Sequence, residues 1–283
     1  MIIVDLQQVM VASLMMQPEI HKATKVEESL LRHMVLNSIR SYNVKFKAKF
    51  GEMIIACDGQ NYWRKEIFPY YKARRAKDRE ESKLDWGSIF ESFNKIRSEL
   101  KEFFPYRVIH VNEAEADDVI GTLCNRFGNS MEKILVLSGD KDFRQLQSYV
   151  NVSQYDPTRK KMITETDPAR YLKEHIMRGD KGDGVPNFLS PDNAIVLNIR
   201  QKSIFQKSLD VWLEQDPKEF CDNEMLRGYK RNEALVDLSK IPEKVIKSIN
   251  SQYDDQTTQD RSKLFRYFID YGLKNLQTDI DQF

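Results

Sequence analysis

The sequence predicts an α/β protein with a central, mostly parallel sheet and flanking helices. Two observations predict this fold class. Short apolar runs recur along the first half of the chain, and segments with helical spacing of apolar residues separate them. The clearest run, Ile134–Leu137, contains no polar residue, as expected of a strand that is covered on both faces in a parallel sheet.

The elements follow in chain order. Predicted strands cover 1–4, 54–57, 107–111, 134–138 and 150–155, and the last turns at 156–157 toward 162–164. Apolar residues at helical spacing predict helices from about Lys25, at 88–104 up to the helix-breaking Pro105, and from about 112 to 127. Residues 143–146 also look helical, and further helices are expected at 168–178, 194–199, 203–214, 243–251 and 263–271, with a polar loop at 254–260.

Composition limits the classes of function. A chain of 283 residues can bury a full core, and a net charge of +1 excludes a uniformly basic nucleic-acid coat. The three cysteines, Cys57, Cys124 and Cys221, form no C-x-x-C pair, which fits a reducing compartment and argues against a zinc site. Because no apolar run has membrane-spanning length and no signal-peptide pattern occurs, we expect a cytoplasmic protein with no membrane association.

Each of the first four predicted strands is followed by carboxylates. These are Asp5, Asp58, Glu115 with Asp117 and Asp118, and Asp140 with Asp142. A Gly-rich loop at 179–186 adds Asp180 and Asp183. For any single acid a solvated surface is an adequate explanation, and the helix dipole also favours acids in a first helical turn. The coincidence of four strand ends predicts instead that the acids converge on one edge of the sheet.

A cluster of this size predicts a metal site. Several carboxylates packed together repel one another unless cations neutralise them, and Mg²⁺ prefers oxygen ligands. Two-metal phosphodiester hydrolysis suits such a site. No Ser triad, Cys nucleophile or His–carboxylate pair competes, because the histidines are dispersed and expected to be structural or exposed. They are His21, His33, His110 and His175.

A basic and aromatic segment lies between 62 and 82. Residues 62–77 contain six Lys or Arg and one acid, with five aromatic residues interleaved. Aromatic faces can stack on bases while cations hold phosphates, and exposed aromatics beside Arg are unusual in a merely solvated face. A phosphatase would explain the acids but not this segment, and a binding protein would explain the segment but not the acids. We therefore interpret the chain as a metal-dependent phosphoryl-transfer enzyme.

Three acidic motifs resemble the signatures of the 5′-nuclease (flap endonuclease) family. They are Glu115-Ala116-Asp117-Asp118, Ser138-Gly139-Asp140-Lys141-Asp142-Phe143 and Gly179-Asp180-Lys181-Gly182-Asp183. Their order and spacing fit. A second set resembles more narrowly the ribonuclease H branch of that family in T-even bacteriophages. It comprises Tyr62-Trp63-Arg64, Tyr70-Tyr71-Lys72, Arg79-Glu80-Glu81-Ser82, Asp85-Trp86 and the stretch from Tyr267 to Phe283, so the likeness covers essentially the whole chain.

The resemblance implies roles for individual residues. The acids expected around a first Mg²⁺ are Asp5, Asp58, Glu115, Asp117 and Asp140, and those nearer a second Mg²⁺ are Asp118, Asp142, Asp180 and Asp183. Mn²⁺ is expected to substitute for Mg²⁺. Arg64 and Lys72 would face the scissile phosphate and act in catalysis with Asp5, Asp58, Asp117 and Asp140. The expected DNA-binding residues are Tyr62, Trp63, Arg64, Lys72, Arg74, Arg75, Lys77, Lys181, Gly182 and Gly184.

The resemblance also implies an architecture. Residues 1–165 would form the nuclease core, with a helical arch at 62–86 through which a 5′ single strand passes. Residues 166–283 would form a mainly helical DNA-binding region, in which the loop at 179–186 opens a helix-hairpin-helix element. Many members bind K⁺ at this hairpin through a second Gly-rich turn. This sequence reads Gly184-Val185-Pro186-Asn187-Phe188 there and lacks that second turn. The motif therefore does not decide whether this chain binds K⁺.

The expected activities are 5′→3′ exonuclease on RNA–DNA and DNA–DNA duplexes and cleavage of 5′ flaps. The expected task is removal of RNA primers from lagging-strand fragments during DNA replication. The resemblance suggests a monomer in the cytoplasm of a host bacterium, with a single-strand DNA-binding protein docking on the C-terminal helices. The alternative is a structure-specific DNA-binding protein that has lost catalysis. Its acidic set should be eroded, whereas this set is intact.

Overall fold

A six-stranded sheet forms the centre of the structure, a computed structural model that describes residues 1–17, 26–256 and 261–283. Its strands are β1 Ile2–Asp5, β2 Met53–Cys57, β3 Arg107–His110, β4 Ile134–Leu137, β5 Val152–Asp156 and β6 Lys161–Ile163. They lie in the order β3-β2-β1-β4-β5-β6, and only β6 is antiparallel to its neighbour. All residues of β1, β2 and β4 are buried, so the predicted mostly parallel sheet is confirmed.

Helices surround the sheet. The α-helices of the described residues are α1 Leu6–Met15, α2 Glu28–Phe50, α3 Trp63–Ile67, α4 Ala73–Glu80, α5 Trp86–Phe103, α6 Ala116–Phe127, α7 Pro168–Arg178, α8 Gln206–Glu214, α9 Pro217–Phe220, α10 Asn223–Val236, α11 Glu243–Asp255, α12 Leu264–Asp270 and α13 Lys274–Gln277. Short 3₁₀ helices cover Lys141–Ser148, Leu238–Lys240 and Ile280–Gln282. None of these helices is long and apolar enough to cross a membrane.

Two hydrophobic layers hold the sheet. One layer packs α1, α2 and α5 against the strands and includes Leu264, Tyr267 and Phe268 of the C-terminal α12. The other packs α6, α11 and the 3₁₀ helix at 141–148 against the opposite face. A third cluster joins α7, α8 and α10 beyond the sheet. The C-terminal helices therefore contribute directly to burying both faces of the sheet.

Several predicted elements differ from the structure. Residues 194–199 form turns rather than a helix, and Asn198 adopts a left-handed conformation (φ 53°) that a continuing helix does not permit. Residues 143–146 lie in a 3₁₀ helix. The helix expected from about Lys25 begins at Glu28, and Lys25 itself is outside the described residues. The polar stretch 254–260 begins inside α11, and its residues 257–260 are also outside them.

Four α-helices of the described residues, α1, α9, α10 and α13, were not predicted. Helix α1 is apolar around much of its circumference, so it lacks the polar stripe that marks an amphipathic helix. Its start is set by Asp5, whose carboxylate accepts a hydrogen bond of 3.0 Å from the backbone N–H of Gln8. The acid that is expected to bind a metal is thus also the N-cap of the helix after β1.

Candidate active site

The acids that follow the strands meet at the carboxyl edge of the sheet. Strands β1 and β4 are neighbours at the point where the strand order reverses, which is where ligand sites form in open α/β sheets. Asp5 ends β1 and accepts a hydrogen bond of 3.1 Å from the Ser138 hydroxyl just after β4. Asp58 follows β2 and accepts one of 2.8 Å from the backbone N–H of Ala116, which starts α6. The predicted convergence of the first, second and fourth strand ends is confirmed.

Four of these carboxylates form a group without a cationic partner. None of Asp5, Asp58, Asp117 and Asp140 makes a salt bridge to Lys or Arg within the described part of the chain. Burial, reinforced by Asp58, raises the pKa of Asp5 to about 7, and burial with Asp142 nearby raises the pKa of Asp140 to about 6. Burial also raises the pKa of Asp58, and burial beside Asp140 places the pKa of Asp117 well above its ordinary value. We call these four residues the unpaired acids.

A second set of acids is neutralised by basic side chains. Glu115 accepts hydrogen bonds from Arg64 (3.0 Å), from the Tyr71 hydroxyl (2.8 Å) and from Lys72. Burial alone would raise the pKa of Glu115, but Lys72 and Arg64 overcome it and lower the pKa below its ordinary value. Glu115 therefore ionises more readily than the unpaired acids, whose pKa values are raised.

The structure corrects the predicted roles of Arg64 and Asp118. Asp118 is fully buried, and its carboxylate faces the Arg64 guanidinium at 2.8 Å and the Trp63 indole N–H at 3.1 Å. Arg64 is 2% exposed and also donates to the carbonyl oxygen of Leu235 at 2.9 Å. Direct metal binding by Asp118 and direct phosphate contact by Arg64 do not fit these positions, because each side chain is held inside the protein by the other.

The aromatic residues of the basic segment are mostly buried. Trp63, Phe68 and Tyr71 are between 3% and 7% exposed. Phe68 and Tyr71 pack with Val185, Leu235 and Val236 beneath the Gly-rich loop. The expectation of exposed aromatic faces is therefore wrong for Trp63 and Tyr71. These side chains are buried and donate hydrogen bonds to Asp118 and Glu115, respectively. Tyr62 remains half-buried, with the Lys72 ammonium 5.6 Å from its ring centre.

Lys72 lies between two acids. Its ammonium contacts the Glu115 carboxylate and lies 3.5 Å from that of Asp183. Its backbone is left-handed (φ 54°), a conformation that costs energy for any residue with a Cβ. Its N–H donates to the carbonyl oxygen of Asp183 at 2.7 Å. This strained position directs the Lys72 side chain into the site and joins the basic segment to the Gly-rich loop.

Asp142 and Asp180 meet a histidine that the sequence did not connect with them. His175 Nε2 lies 2.7 Å from Asp142 Oδ1, and His175 is 6% exposed. Donor atoms of Asp142, His175 and Asp180 all lie within 4.8 Å of one another. Asp180 is also 3.1 Å from the Lys141 ammonium, and Lys141 outweighs burial to lower its pKa. His175 is buried, as a structural histidine would be. It was expected to lie apart from the acids, but it contacts Asp142.

The remaining basic residues are exposed on one side of the site. Helix α4 has no buried residue, and its Arg74, Arg75 and Lys77 side chains are 46%, 47% and 70% exposed. Arg75 points back and donates to Asp183 at 2.6 Å. Lys181 and Gly182 are exposed at the Gly-rich loop, whereas Gly184 is buried beneath it. A cationic surface therefore borders the acidic edge of the sheet.

The donor set fits divalent cations. Asp5 is buried, and Asp58, Asp117 and Asp140 are half-buried. Mutual repulsion and desolvation favour protonation of these carboxylates, and oxygen-binding cations relieve both. Asp142, Asp180 and Asp183 form a second group of carboxylates farther along the same edge. A site of this kind serves metal-assisted cleavage of phosphate esters.

Comparison with known proteins decides the family. Residues 1–176 match the family model of the 5′–3′ exonuclease N-terminal resolvase-like domain, and residues 169–283 match that of the T4 RNase H C-terminal region. The chain belongs to the 5′–3′ exonuclease family. It is 34% identical to ribonuclease H of Enterobacteria phage T4 over 272 residues, which cover 92% of this chain and 88% of the relative. The resemblance stated from the motifs is confirmed, and the chain is a metal-dependent nuclease of the exonuclease and flap endonuclease class.

Other members of the family match more partially. Flap endonuclease Xni of Shewanella woodyi is 28% identical over 136 residues, covering 44% of this chain and 48% of that protein. A solved structure of the phage T5 flap endonuclease with DNA and metal ions has a TM-score of 0.62 at 17% identity, covering 89% of this chain and 97% of that chain. Another, of the T5 5′-exonuclease with bound zinc, has a TM-score of 0.61. These structures support the fold of the 5′–3′ exonuclease family for this chain.

Proposed function

We propose that this member of the family is a structure-specific 5′ nuclease that uses Mg²⁺. It would act as a 5′→3′ exonuclease on RNA–DNA and DNA–DNA duplexes and as a flap endonuclease, and it would remove RNA primers from lagging-strand fragments. The observation that carries the proposal is the group of unpaired acids at the carboxyl edge, beside the exposed cations of α4. The name of the phage T4 relative supports activity on RNA–DNA duplexes.

The unpaired acids would hold the first ion, and Asp142, Asp180 and Asp183 would hold the second. When bound, divalent ions supply positive charge to the phosphodiester and lower the pKa of water. Mn²⁺ would substitute for Mg²⁺ because both accept carboxylate oxygens. A K⁺ ion at the hairpin would be held by oxygen atoms of the loop at 179–186.

The chain's own residues would orient the nucleic acid. Arg74, Arg75 and Lys77 on α4 face solvent and would hold phosphates of the 5′ strand, while Lys181 and Gly182 would contact the duplex backbone. Lys72 would turn from Glu115 toward the scissile phosphate when the substrate enters. Arg64 would act indirectly, by fixing Glu115 and Asp118 at the start of α6.

Cleavage of a 5′-labelled flap substrate tests the proposal. We expect cleavage with Mg²⁺ or Mn²⁺ and none with EDTA. The Asp58→Asn variant should lose cleavage, whereas Asp270→Asn, a matched change at an exposed acid on α12, should not. A protein that binds the flap but cleaves neither it nor an RNA–DNA duplex with either ion would instead be the inactive DNA-binding alternative.

The cellular role adds two proposals. We infer a monomer that works in the host cytoplasm together with a single-strand DNA-binding protein. Support comes from α12, where Phe265 and Ile269 are 57% and 52% exposed one helical turn apart. Sedimentation of the protein alone and with such a partner measures both. If the protein sediments as a dimer in the absence of the partner, the proposed monomer is wrong. If adding the partner leaves the sedimentation unchanged, the proposed interaction is wrong.

A further inference from the structure

We propose that His175 is a ligand of the second ion and makes that site selective for divalent first-row transition metals over Mg²⁺. The donor set would be the Nε2 atom of His175 with carboxylate oxygens of Asp142 and Asp180. The inference rests on the proposed function, because it concerns the same active site. It goes beyond an all-carboxylate site, since a neutral nitrogen changes which ions bind best.

The geometry supports direct binding. His175 Nε2 and Asp142 Oδ1 are 2.7 Å apart, and the three donor atoms fall within 4.8 Å of one another. Adjacent ligands of one ion with bonds of about 2.0–2.2 Å lie about 3 Å apart, so the pair needs little movement to share an ion. Helix α7 fixes the imidazole, which is 6% exposed and faces the two acids.

A second observation indicates a cation position here. The Lys141 ammonium lies 3.1 Å from Asp180 Oδ2, so a positive charge already occupies one side of the cluster. The Lys141 side chain is 47% exposed and can withdraw into solvent at small cost. Its Asp180 partner keeps its orientation, because Oδ1 accepts a hydrogen bond of 2.8 Å from the backbone N–H of Gly182. An arriving ion would therefore replace Lys141 at a carboxylate that is held in place.

Ligand chemistry gives the selectivity. Mg²⁺ prefers oxygen ligands and keeps several waters, whereas imidazole suits the later first-row ions and their affinity rises from Mn²⁺ onward. A nitrogen ligand at one of the two sites would raise the affinity for Mn²⁺ and Co²⁺ relative to Mg²⁺. The unpaired acids offer oxygen alone, so the two sites of this enzyme would differ in preference.

Pulsed electron paramagnetic resonance of the metal-loaded full-length protein tests the ligand directly. Mn²⁺ is the probe, and no DNA is present. We expect nuclear modulation from a directly bound ¹⁴N in the wild type, and its replacement by a ¹⁵N signal when only the histidines are ¹⁵N-labelled. The signal should vanish in His175→Gln and persist in the matched control His110→Gln. Absence of histidine modulation in the wild type, or its survival in His175→Gln, overturns the proposal.

Metal competition measures the selectivity. In His175→Gln, Mn²⁺ binding should weaken by at least the roughly 10–100-fold that loss of an outer-shell partner costs, while Mg²⁺ binding changes little. If that variant does not fold, Lys141→Gln decides: its Mn²⁺ affinity should rise with the histidine signal retained, and an unchanged affinity contradicts the proposal. These readouts need no cleavage, so they separate failure of this inference from failure of the proposed nuclease function. An Mn²⁺ to Mg²⁺ affinity ratio that is the same in wild type and a folded His175→Gln shows that His175 only positions Asp142.

Discussion

The backbone N–H of Lys72 donates a hydrogen bond of 2.7 Å to the carbonyl oxygen of Asp183. This contact fastens the start of the basic helix α4 to the Gly-rich loop. Gly184 makes the close approach possible, because it is left-handed (φ 78°) and a Cβ there would lie 2.7 Å from the carbonyl oxygen of Tyr70. The exposed basic helix α4 and the second acid group are therefore held together by backbone contacts.

The first prediction tests this joint. Gly184→Ala should lower the free energy of unfolding by more than the roughly 1–2 kcal/mol expected for a left-handed residue alone, because of the added clash with Tyr70. Gly272→Ala is the control, since Gly272 also has a positive φ of 66° but no atom of the described residues lies within 4 Å of the position that the added methyl group would take. Urea unfolding measures both. An equal decrease in the free energy of unfolding of the two variants would show that the backbone at Tyr70 moves away from the added methyl group at no cost.

Stability without metal should depend on pH. The pKa of Asp5 is raised from 3.8 to about 7 and that of Asp140 to about 6, so the folded state binds these protons more tightly than the unfolded state. Their contribution to stability is present at low pH and is lost as the pH rises through this range. In EDTA the melting temperature should fall as the pH rises from about 4 to about 7, and less so in Asp5→Asn.

Mg²⁺ should reverse that trend. Bound cations favour the ionised acids, so the gain in stability should be larger at about pH 8 than at about pH 5. At a concentration about 100 times the dissociation constant the gain is about 2.7 kcal/mol. Thermal melts with EDTA and with millimolar Mg²⁺ measure it. A melting curve that Mg²⁺ leaves unchanged at both pH values would count against a convergent metal site.

The strand ends could be predicted from sequence because topology fixes them. Asp5, Asp58 and Asp140 each follow an apolar run, and parallel strands bring their carboxyl ends to one edge. The direction of a side chain is decided by packing. Asp117 and Asp118 are adjacent in sequence, yet Asp118 turns inward to Arg64. His175 was missed for the same reason, since its contact with Asp142 joins α7 to a 3₁₀ helix 33 residues away.

The buried pair of Arg64 and Asp118 gives a prediction for stability. Arg64→Met should destabilise the protein by about 3–5 kcal/mol, because it leaves Asp118 and Glu115 as buried acids with one cation fewer. Arg74→Met, at a side chain that is 46% exposed, should change stability by less than about 1 kcal/mol. Chemical denaturation compares the two variants. A loss at Arg64 no larger than that at Arg74 would refute its role as the internal support of α6.

Lys72→Ala should slow cleavage more than it weakens binding. Its proposed partner is the reacting phosphate, and loss of one such contact costs about 10²–10³-fold in rate. Duplex affinity should fall only slightly and retain its steep salt dependence, because Arg74, Arg75 and Lys77 remain. Single-turnover cleavage and equilibrium binding of the same flap separate the effects. If substrate binding is lost while bound substrate is cleaved at the normal rate, Lys72 contributes only to substrate binding.

The last prediction distinguishes the two acid groups. Asp140 is an unpaired acid that directly follows the buried β4, whereas Asp183 lies on the Gly-rich loop and contacts Arg75 at 2.6 Å. Asp140→Asn removes one charge with little change of shape, so it should reduce turnover by about 10²–10³-fold or more while flap binding without Mg²⁺ stays intact or tightens. Asp183→Asn should lower turnover less and raise the Mg²⁺ concentration required.

Mg²⁺ titrations of single-turnover cleavage for the wild type and both variants measure this difference. The reason for expecting it is structural. Loss of Asp140 would remove a proposed ligand from a group that makes no salt bridge to Lys or Arg among the described residues, whereas loss of Asp183 would also release Lys72 and Arg75 to hold phosphate. Tighter flap binding should therefore accompany the raised Mg²⁺ midpoint in Asp183→Asn. If Asp140→Asn cleaves at the wild-type rate with an unchanged midpoint, the end of β4 is not the centre of the active site and the proposed mechanism is wrong.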